Sequence, residues 1–375
     1  ELLFSAFQAV RDCQIPTLAA IRGTCFGCGM EFVLNCDYRV ASRSDDTYFY
    51  MTEINDYLFI PVFGATHNLP RSIGLNNAID FLLWGERWNA TTAKEKKLIN
   101  YSFDDSSFDN QVNNFIKSII DGREKSLIKD TPPILWDDSN YYIVSKVKEK
   151  ISDLPPKYHP VYNDTLDLMV EAIKREEINQ EFLDLEIKKA IDSISSANAE
   201  SAFSFFYIRQ MANSLNVDFK NDTKAINLYL TSFQNPLLSY IQNGGKGEDI
   251  DFTLREFGFS KRNNLYQNQL SILEKANFIN GKYDEEIIKA LSCSLYLTTH
   301  QGLSSGILKH PAYADLLARE ILDFPLCYTS LCSYLTKNRI KSILENKKRN
   351  FIKYLAEDDE QKIKDLLEKK RNFYL

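Results

Sequence analysis

The stretch Ile15-Pro-Thr-Leu-Ala-Ala-Ile-Arg-Gly-Thr-Cys-Phe-Gly-Cys-Gly-Met-Glu31 decides how the first part of this chain folds. Its apolar run Thr17 to Ile21 predicts a buried strand. A glycine-rich turn follows, and Met30 to Leu34 predicts an apolar helix that carries Glu31 near its first turn. The start of a helix presents backbone N–H groups, and the helix dipole favours negative charge there. The stretch therefore predicts a site that can stabilise a developing oxyanion beside a carboxylate able to move protons.

Further motifs follow this stretch in a fixed order. They are Cys36-Asp-Tyr-Arg-Val-Ala-Ser42, Thr52-Glu53-Ile54, Asn68-Leu-Pro-Arg-Ser-Ile-Gly74 and Phe81-Leu-Leu-Trp-Gly-Glu-Arg-Trp-Asn-Ala-Thr-Thr-Ala93. With the opening stretch they resemble the enoyl-CoA hydratase/isomerase (crotonase) family, whose motifs include Gly-Gly-Gly-x-Glu, Cys-Asp-x-Arg-x-Ala and Pro-Glu-Val. The resemblance implies an α/β fold, with a partial crotonase-like (ββα) spiral domain in residues 1–103.

The resemblance also implies a set of site residues. Glu31 matches the acid that holds and deprotonates a water, and Glu53 matches the acid that gives a proton to the α-carbon. The backbone N–H of Cys28, flanked by Gly27 and Gly29, matches an oxyanion donor. Pro61 is expected to line the substrate. These roles predict an enoyl-CoA hydratase-like lyase that adds water to trans-2-enoyl-CoA thioesters in fatty-acid β-oxidation.

The loop Ile60-Pro-Val-Phe-Gly-Ala-Thr-His67 departs from the family pattern Ile-Pro-Gly-x-Gly-Gly-Thr-Gln. Val62 and Phe63 replace small residues, and they either shape the selectivity for acyl chains or fill the pocket. His67 stands where Gln is usual, and a surface or supporting position is expected for it. The spacing from Glu53 to the following Leu-Pro is one residue longer than usual, which could displace the acid.

Other features leave alternatives open. The chain begins in what reads as a helix, Leu2 to Val10, so a fragment is expected whose preceding oxyanion turn is absent. The loss of an NAD-binding domain, the Cys28 substitution and the altered loop also fit a catalytically degenerate assembly or acyl-CoA-binding subunit. A Δ3,Δ2-enoyl-CoA isomerase is a third reading. The family resemblance implies a homo-oligomer.

Composition excludes several classes of function. The chain has 375 residues, 44% hydrophobic and 26% charged, with a net charge of −6, which gives no general attraction to nucleic acid. No apolar run is long enough for a membrane span. Seven scattered cysteines predict reduced thiols and a cytoplasmic location. Cys25-Phe-Gly-Cys28 could indicate redox chemistry or half a metal site, but small residues in a tight turn are the preferred reading, with no metal. No permanently bound cofactor is expected; coenzyme A is expected as part of the substrate.

Helices are predicted after residue 103. Residues 104–215 read as a helical linker region with a helix over Phe108 to Ile120, connectors at Pro132-Pro133 and Pro155-Pro156, and one long charged helix over Asn163 to Ser193. Residues 158–162 and 186–206 are similar to the linker after the hydratase domain of multifunctional fatty-acid oxidation enzymes.

The rest of the chain is also predicted to be mostly α-helical. Gly244 to Phe259 resembles the C-terminal domain of 3-hydroxyacyl-CoA dehydrogenases, which implies such a domain over 216–345, although Ser260-Lys-Arg-Asn departs from its pattern. No G-x-G-x-x-G motif of an NAD-binding domain follows Asn216, so no dehydrogenase activity is expected. Helices are expected over Asn227 to Ile241 and within Asp284 to Leu335, with a turn at the Gly244 glycines. Residues 346–375 read as a charged helical tail, solvated from Lys337 onward.

Overall fold

The computed structural model describes residues 2–128, 136–215, 221–259, 281–325, 327–328, 330–346, 350–369 and 373. The chain divides into two units, the first made of Glu1–Ile151 and His159–Ser196 and the second of Ser152–Tyr158 and Ala197–Leu375. The predicted boundaries at 103, 215 and 345 stay a prediction. The predicted connector Pro132-Pro133 and the segment from Ser260 to Asn263 lie outside the described residues.

Two small sheets form the strand framework of the first unit. Strands β1 to β6 are Leu18–Ile21, Cys25–Phe26, Tyr38–Ser42, Tyr48–Tyr50, Trp88–Asn89 and Tyr101–Phe103. One sheet has the order β1-β3-β6 with parallel pairs, and the other has the order β2-β4-β5 with β4 and β5 antiparallel. Ala20 pairs with Val40 in the first sheet. The strand predicted over Thr17 to Ile21 is confirmed as β1, but the prediction that it is buried is wrong for most of it: Ile21 is buried, Leu18 and Ala19 are half-buried and Ala20 is exposed.

Helices fill the remainder of the first unit. Helices α1 to α10 are Leu2–Arg11, Gly27–Leu34, Glu53–Tyr57, Ala65–Ile73, Leu75–Ala78, Ala90–Glu95, Phe108–Ile120, Asp138–Ser152, His159–Lys174 and Gln180–Ile194. The predicted helices at the chain start and over Phe108 to Ile120 are confirmed as α1 and α7. The helix predicted from Met30 begins earlier, at Gly27, so the glycines form its first turn rather than precede it.

The single charged helix predicted over Asn163 to Ser193 is wrong. Helix α9 ends at Lys174, and α10 starts afresh at Gln180. The Asn179 side chain accepts the N–H of Phe182 at 3.0 Å and so caps the first turn of α10. The interleaved charges continue through the break, which is why periodicity of charge did not reveal it.

The Cys-Asp-x-Arg motif has a structural role in the first sheet. The Arg39 side chain is buried and donates to the carbonyls of Leu98 at 2.8 Å and Cys36 at 3.0 Å. Burial lowers the pKa of Arg39 to about 10. The Asp37 carboxylate accepts the N–H of Thr17 at 3.0 Å. These contacts tie the start of β3 to Thr17, just before β1, and to Leu98, just before β6.

The second unit is built from helices. Helices α11 to α18 are Ala197–Ser214, Thr223–Gln242, Gly247–Phe257, Glu285–Ser304, Pro311–Leu322, Leu331–Tyr334, Lys337–Glu345 and Asp359–Lys369. This confirms the helices expected over Asn227 to Ile241 and within Asp284 to Leu335. Gly244 has a φ of +89° just after α12, and α13 begins at Gly247, so the glycines form the expected turn.

The prediction of a solvated tail from Lys337 onward is wrong for one face of α17 and one face of α18. Ile340 in α17, Ile363 in α18 and Phe351 between them are fully buried in the core of the second unit. Apolar residues spaced along one helix face drive this burial, while the many Lys and Glu side chains occupy the other faces. Among the helices of the described residues, none combines the length and apolar character needed to cross a bilayer.

Candidate active site

Glu31 lies in the first half of α2 with its carboxyl group inside the first unit. Its side chain is 2% exposed, and its neighbours in the helix sequence, Met30 and Phe32, are apolar. One carboxyl oxygen, Oε1, accepts the backbone N–H of Phe63 at 2.8 Å and that of Ala65 at 3.3 Å. The segment that joins α3 to the start of α4 therefore replaces the water that this carboxyl loses on burial.

Glu53 is the first residue of α3 and is also buried, at 4% exposed. Its Oε2 accepts the backbone N–H of Thr52 at 2.9 Å. Its Oε1 faces Gly27, where an added Cβ would lie 3.1 Å away. The longer spacing downstream has therefore not moved Glu53 away from the start of α2.

Both acids hold protons more tightly than an ordinary glutamate. Burial, and then the charge of Glu53, raise the pKa of Glu31 well above its usual range, although the Phe63 and Ala65 amides oppose this. Burial raises the pKa of Glu53, and the Thr52 amide partly offsets it. The charge of Glu53 is one cause of the raised pKa of Glu31, so the two carboxyls titrate as a coupled pair. Such a pair can serve as acid and base in turn.

The first turn of α2 is open beside these acids. Gly27 adopts a φ of +53°, a left-handed conformation that suits glycine, while Cys28 and Gly29 are exposed. Positive φ falls on Gly27 rather than on Cys28, so the Cys28 substitution carries no backbone strain. An added Cβ at Gly29 would meet no atom within 4 Å. Backbone N–H groups at an open helix start can receive an oxyanion.

The loop that follows Pro61 is built around backbone contacts to Glu31. Pro61 is buried, and Val62 and Phe63 are half-buried. The Phe63 ring stacks on Phe7 of α1 with ring centroids 4.2 Å apart. The amide of Phe63 thus serves Glu31 while its ring packs on α1.

His67 is not at the surface, one of the two positions expected for it. It is 1% exposed and its Nδ1 lies 3.1 Å from Oε1 of Glu186, which is also 1% exposed. Its Nε2 contacts a guanidinium nitrogen of Arg11. Sequence reasoning missed Glu186 and Arg11. A signal was present for the acid, because Phe182, Glu186 and Ala190 are spaced along one buried face of α10.

The cysteines of the C-x-x-C segment are held as thiols. Burial raises the pKa of Cys25 to about 11. Burial, followed by the charges of Glu31 and Glu53, raises the pKa of Cys28. All seven cysteines are free, and within the described residues no group of His, Cys, Asp or Glu side chains has the arrangement of a metal site. Protonated thiols are poor nucleophiles and poor ligands.

Comparison with known sequences finds similar proteins for the first part of the chain. The sequence model of the enoyl-CoA hydratase/isomerase family matches residues 1–127, somewhat further than the predicted boundary at 103. Fatty acid oxidation complex subunit alpha of Vibrio campbellii is 40% identical over 94 residues, which cover 25% of this chain and 13% of that protein. The same subunit of Vibrio parahaemolyticus is 35% identical over 125 residues, or 33% and 18% of the two chains. The chain therefore spans less than a fifth of the length of these relatives.

A peroxisomal Delta(3,5)-Delta(2,4)-dienoyl-CoA isomerase of Arabidopsis thaliana is also similar, at 30% identity over 118 residues, which cover 32% of this chain and 40% of that one. Among solved structures, an enoyl-CoA hydratase/carnithine racemase from Magnetospirillum magneticum is 30% identical with a TM-score of 0.28, over 30% of this chain and 42% of that one. An enoyl-CoA hydratase/isomerase from Pseudoalteromonas atlantica is 18% identical with a TM-score of 0.35, over 54% and 65%.

The family match ends at residue 127, so the resemblance of residues 216–345 to a dehydrogenase domain stays a prediction. The match and the observed elements agree on fold class, a partial crotonase-like α/β domain followed by a mostly helical region. Residues 1–127, about a third of the chain, are therefore similar to the enoyl-CoA hydratase/isomerase family.

Proposed function

We propose that this protein is an enoyl-CoA hydratase that adds water to trans-2-enoyl-CoA thioesters, as a step of fatty-acid β-oxidation. One observation carries the proposal: two buried carboxyl groups with raised pKa values, those of Glu31 and Glu53, lie beside the open first turn of α2. Acid–base groups next to an oxyanion donor are the parts that conjugate addition of water to a thioester requires. The names of the bacterial relatives support the placement in fatty-acid oxidation.

Each residue has a stated part in the proposed reaction. The N–H of Cys28, between Gly27 and Gly29, would donate to the thioester oxygen as negative charge develops on it. In the form of the pair whose single proton is on Glu53, the Glu31 carboxylate would hold the water and take one of its protons as the oxygen bonds to the β-carbon. Glu53 would give a proton to the α-carbon. The sum is one water added and no net proton gained or lost by the pair.

The magnitudes indicate that these parts must act together. Loss of one oxyanion donor typically costs about 10²–10³ in rate. General acid–base help is worth about 10²–10⁴. Neither effect alone reaches the acceleration of about 10⁶ or more that enzymes commonly provide.

Pro61 and the loop after it are proposed to border the acyl chain. The amides of Phe63 and Ala65 fix the Glu31 carboxyl, so the position of this loop sets where the water is held. Val62 would then influence which acyl chains fit. A cytoplasmic location and assembly with further copies of the chain belong to the same proposal.

Isomerisation of an enoyl-CoA double bond is the second candidate function. The similarity to the plant dienoyl-CoA isomerase favours it, since that relative matches over about the same length as the bacterial ones. Two acids can also shuttle a proton between carbons without adding water. The two candidates differ in their products: hydration gives a 3-hydroxyacyl-CoA, and isomerisation gives a shifted enoyl-CoA of unchanged mass.

Product analysis of the intact chain tests the proposal. Crotonyl-CoA, a longer trans-2-enoyl-CoA and a 3-enoyl-CoA are each incubated with the protein, and products are separated and weighed by mass spectrometry. Hydration predicts a mass gain of one water from the 2-enoyl substrates, lost in a Glu31→Gln, Glu53→Gln double variant.

Three outcomes would overturn hydration. They are no water added to either 2-enoyl substrate, an equal rate in the double variant, or turnover of the 3-enoyl substrate alone. The last outcome would establish the isomerase instead. Binding of acyl-CoA without any turnover would assign the chain to the degenerate, acyl-CoA-binding reading.

A further inference from the structure

A second cavity lies in the first unit, behind the loop whose amides hold Glu31. Its volume is about 260 Å³. The walls combine the stacked rings of Phe7 and Phe63 with the aliphatic side chain of Leu183. Arg11, His67 and Glu186 supply the charged and titratable groups within it. We propose that this cavity binds a small organic monocarboxylate with an apolar body, held through the guanidinium of Arg11.

The hydrogen-bond pattern around His67 determines what Arg11 can offer. A guanidinium carries only donors, so the Nε2 of His67 must be the acceptor in its contact with Arg11. The proton of the neutral imidazole then sits on Nδ1, which donates to Oε1 of Glu186 at 3.1 Å. Thr66 Oγ1 donates to the same oxygen. His67 is therefore a neutral link that orients Arg11 without neutralising it.

The Arg11 guanidinium has more N–H donors than the hydrogen bonds described for it use. Among the residues that the structure describes, His67 is its hydrogen-bond partner, which uses one N–H of a group that has several. The side chain is half-buried, and desolvation is the largest influence on its pKa, which it lowers, while the charges of Glu186 and then Asp12 partly oppose this. A partly desolvated cation is unfavourable unless an anion or acceptors satisfy it. A carboxylate in the cavity would accept two parallel N–H groups from the guanidinium.

The other charges near the cavity are compatible with a single added anion. Glu186 already receives the hydroxyl of Thr66 and the imidazole of His67. Asp12 is exposed at the rim, where water screens its charge. Arg71 directs its guanidinium to the carbonyls of the α9 terminus, so it does not compete for the ligand. Phe7, Phe63 and Leu183 favour a ligand whose remainder is apolar.

The experiment compares a carboxylate with a neutral amide of the same length. Hexanoate and hexanamide are titrated into the full chain by calorimetry at low ionic strength. We expect hexanoate to bind at least about tenfold more tightly than hexanamide, because a hydrogen bond to a charged group is worth more than one to a neutral group. The variant Arg11→Gln should remove that preference. Arg43→Gln, which changes an exposed arginine paired with Asp104, is the matched control and should leave it intact.

A second variant tests the proposal even if Arg11→Gln does not fold. Gln180→Trp places a bulky side chain at an exposed position on the cavity wall without removing any charge, and it should abolish hexanoate binding. Circular dichroism checks that each variant is folded. The proposal is overturned if hexanoate and hexanamide bind equally, if neither binds, or if a folded Arg11→Gln keeps the hexanoate preference. The variants change Arg11 and Gln180, which have no part in the proposed hydration, and hydration itself is tested separately by the Glu31 and Glu53 variants.

Discussion

The two units of this chain bury charge in different ways. In the second unit, the buried ammonium of Lys289 is paired with Glu285 at 3.0 Å and with Glu286 at 2.9 Å. In the first unit, the buried carboxyls of Glu31 and Glu53 are held by backbone amides, and the charge of one raises the pKa of the other. Oppositely charged partners compensate each other's burial, whereas like charges do not. An arrangement unfavourable for stability is typical of acid–base sites, so the comparison supports the proposal that places the chemistry in the first unit.

Both cores contain packed aromatic rings. In the second unit, Phe257 stacks on Tyr328 with centroids 4.6 Å apart and meets Tyr334 edge-on at 5.3 Å. The first sheet packs a cluster around Tyr38, Val40, Phe108 and Phe115. Aromatic packing is therefore common to both units, and the way in which charge is buried is what separates them.

The largest expected effect is on activity. Glu31→Gln keeps an oxygen that can accept the amides of Phe63 and Ala65, but it removes the titrating group. We therefore expect hydration of crotonyl-CoA to fall by about 10²–10⁴ while the first unit stays folded. Steady-state kinetics and thermal unfolding measure the two quantities. Glu357→Gln, at an exposed acid of the second unit, is the control and should change neither; a Glu31→Gln protein with full activity would remove the distinction between the units.

Stability of the second unit should respond strongly to Phe351→Ala. The Phe351 side chain is fully buried in the core of that unit. Its truncation is expected to lower the free energy of unfolding of the second unit by about 3–5 kcal/mol. Hydrogen exchange followed by mass spectrometry localises the loss. Tyr283→Ala, at a side chain 49% exposed in the same unit, should stay within about 0.5 kcal/mol; equal losses in both variants would show that the ring core is not what holds this unit.

Two glycines of α2 provide a smaller test with opposite signs. Gly27→Ala forces a side chain into a φ of +53° and against Glu53 and Thr52, at 3.1 Å and 3.3 Å, so it should cost about 1–3 kcal/mol. Gly29→Ala meets open space inside a helix and should stabilise by about 0.5–1 kcal/mol. Denaturant unfolding compares them. Changes of the same sign would contradict the geometry described for the first turn.

The smallest effect is expected at a surface ion pair of the first unit. Arg22 contacts Asp105 at 3.4 Å and Asp109 at 3.3 Å, and these side chains are largely exposed. Arg22→Gln should lower the free energy of unfolding by about 0–1 kcal/mol, and less in high salt. Unfolding at two salt concentrations checks this. A cost that is large and independent of salt would mean that surface charge, and not buried charge, distinguishes the first unit.

Local signals made much of the first unit predictable. The apolar run before the glycines became β1, and the segment after them became α2 with Glu31 on its buried face. The resemblance to the family motifs then assigned Glu53 to the same predicted site as Glu31, although the two acids are not neighbours in sequence. The resemblance, rather than periodicity, supplied that long-range information.

The parts that could not be predicted depend on contacts between distant segments. Glu186 and His67 are 119 residues apart, and a lone acid on an apolar stripe is ambiguous without its partner. The break before α10 depends on one capping residue, Asn179, within a continuous charge pattern. The buried faces of α17 and α18 depend on the core that receives them. Charged residues dominate the composition of those helices, and composition alone therefore predicted a solvated tail.

Carbon-13 NMR of glutamate carboxyls tests the central claim most directly, with Glu31 and Glu53 assigned by the resonance that each Gln variant removes. The account predicts that Glu31 stays protonated as the pH rises through its ordinary value of 4.5, and that Glu53→Gln lowers its pKa. Because the folded state then holds this proton more tightly than the unfolded state, the group stabilises the fold below about pH 4.5 and this stability is lost as pH rises to the folded pKa. Titration of both carboxyls near 4.5, with neither responding to the other's substitution, would contradict the account.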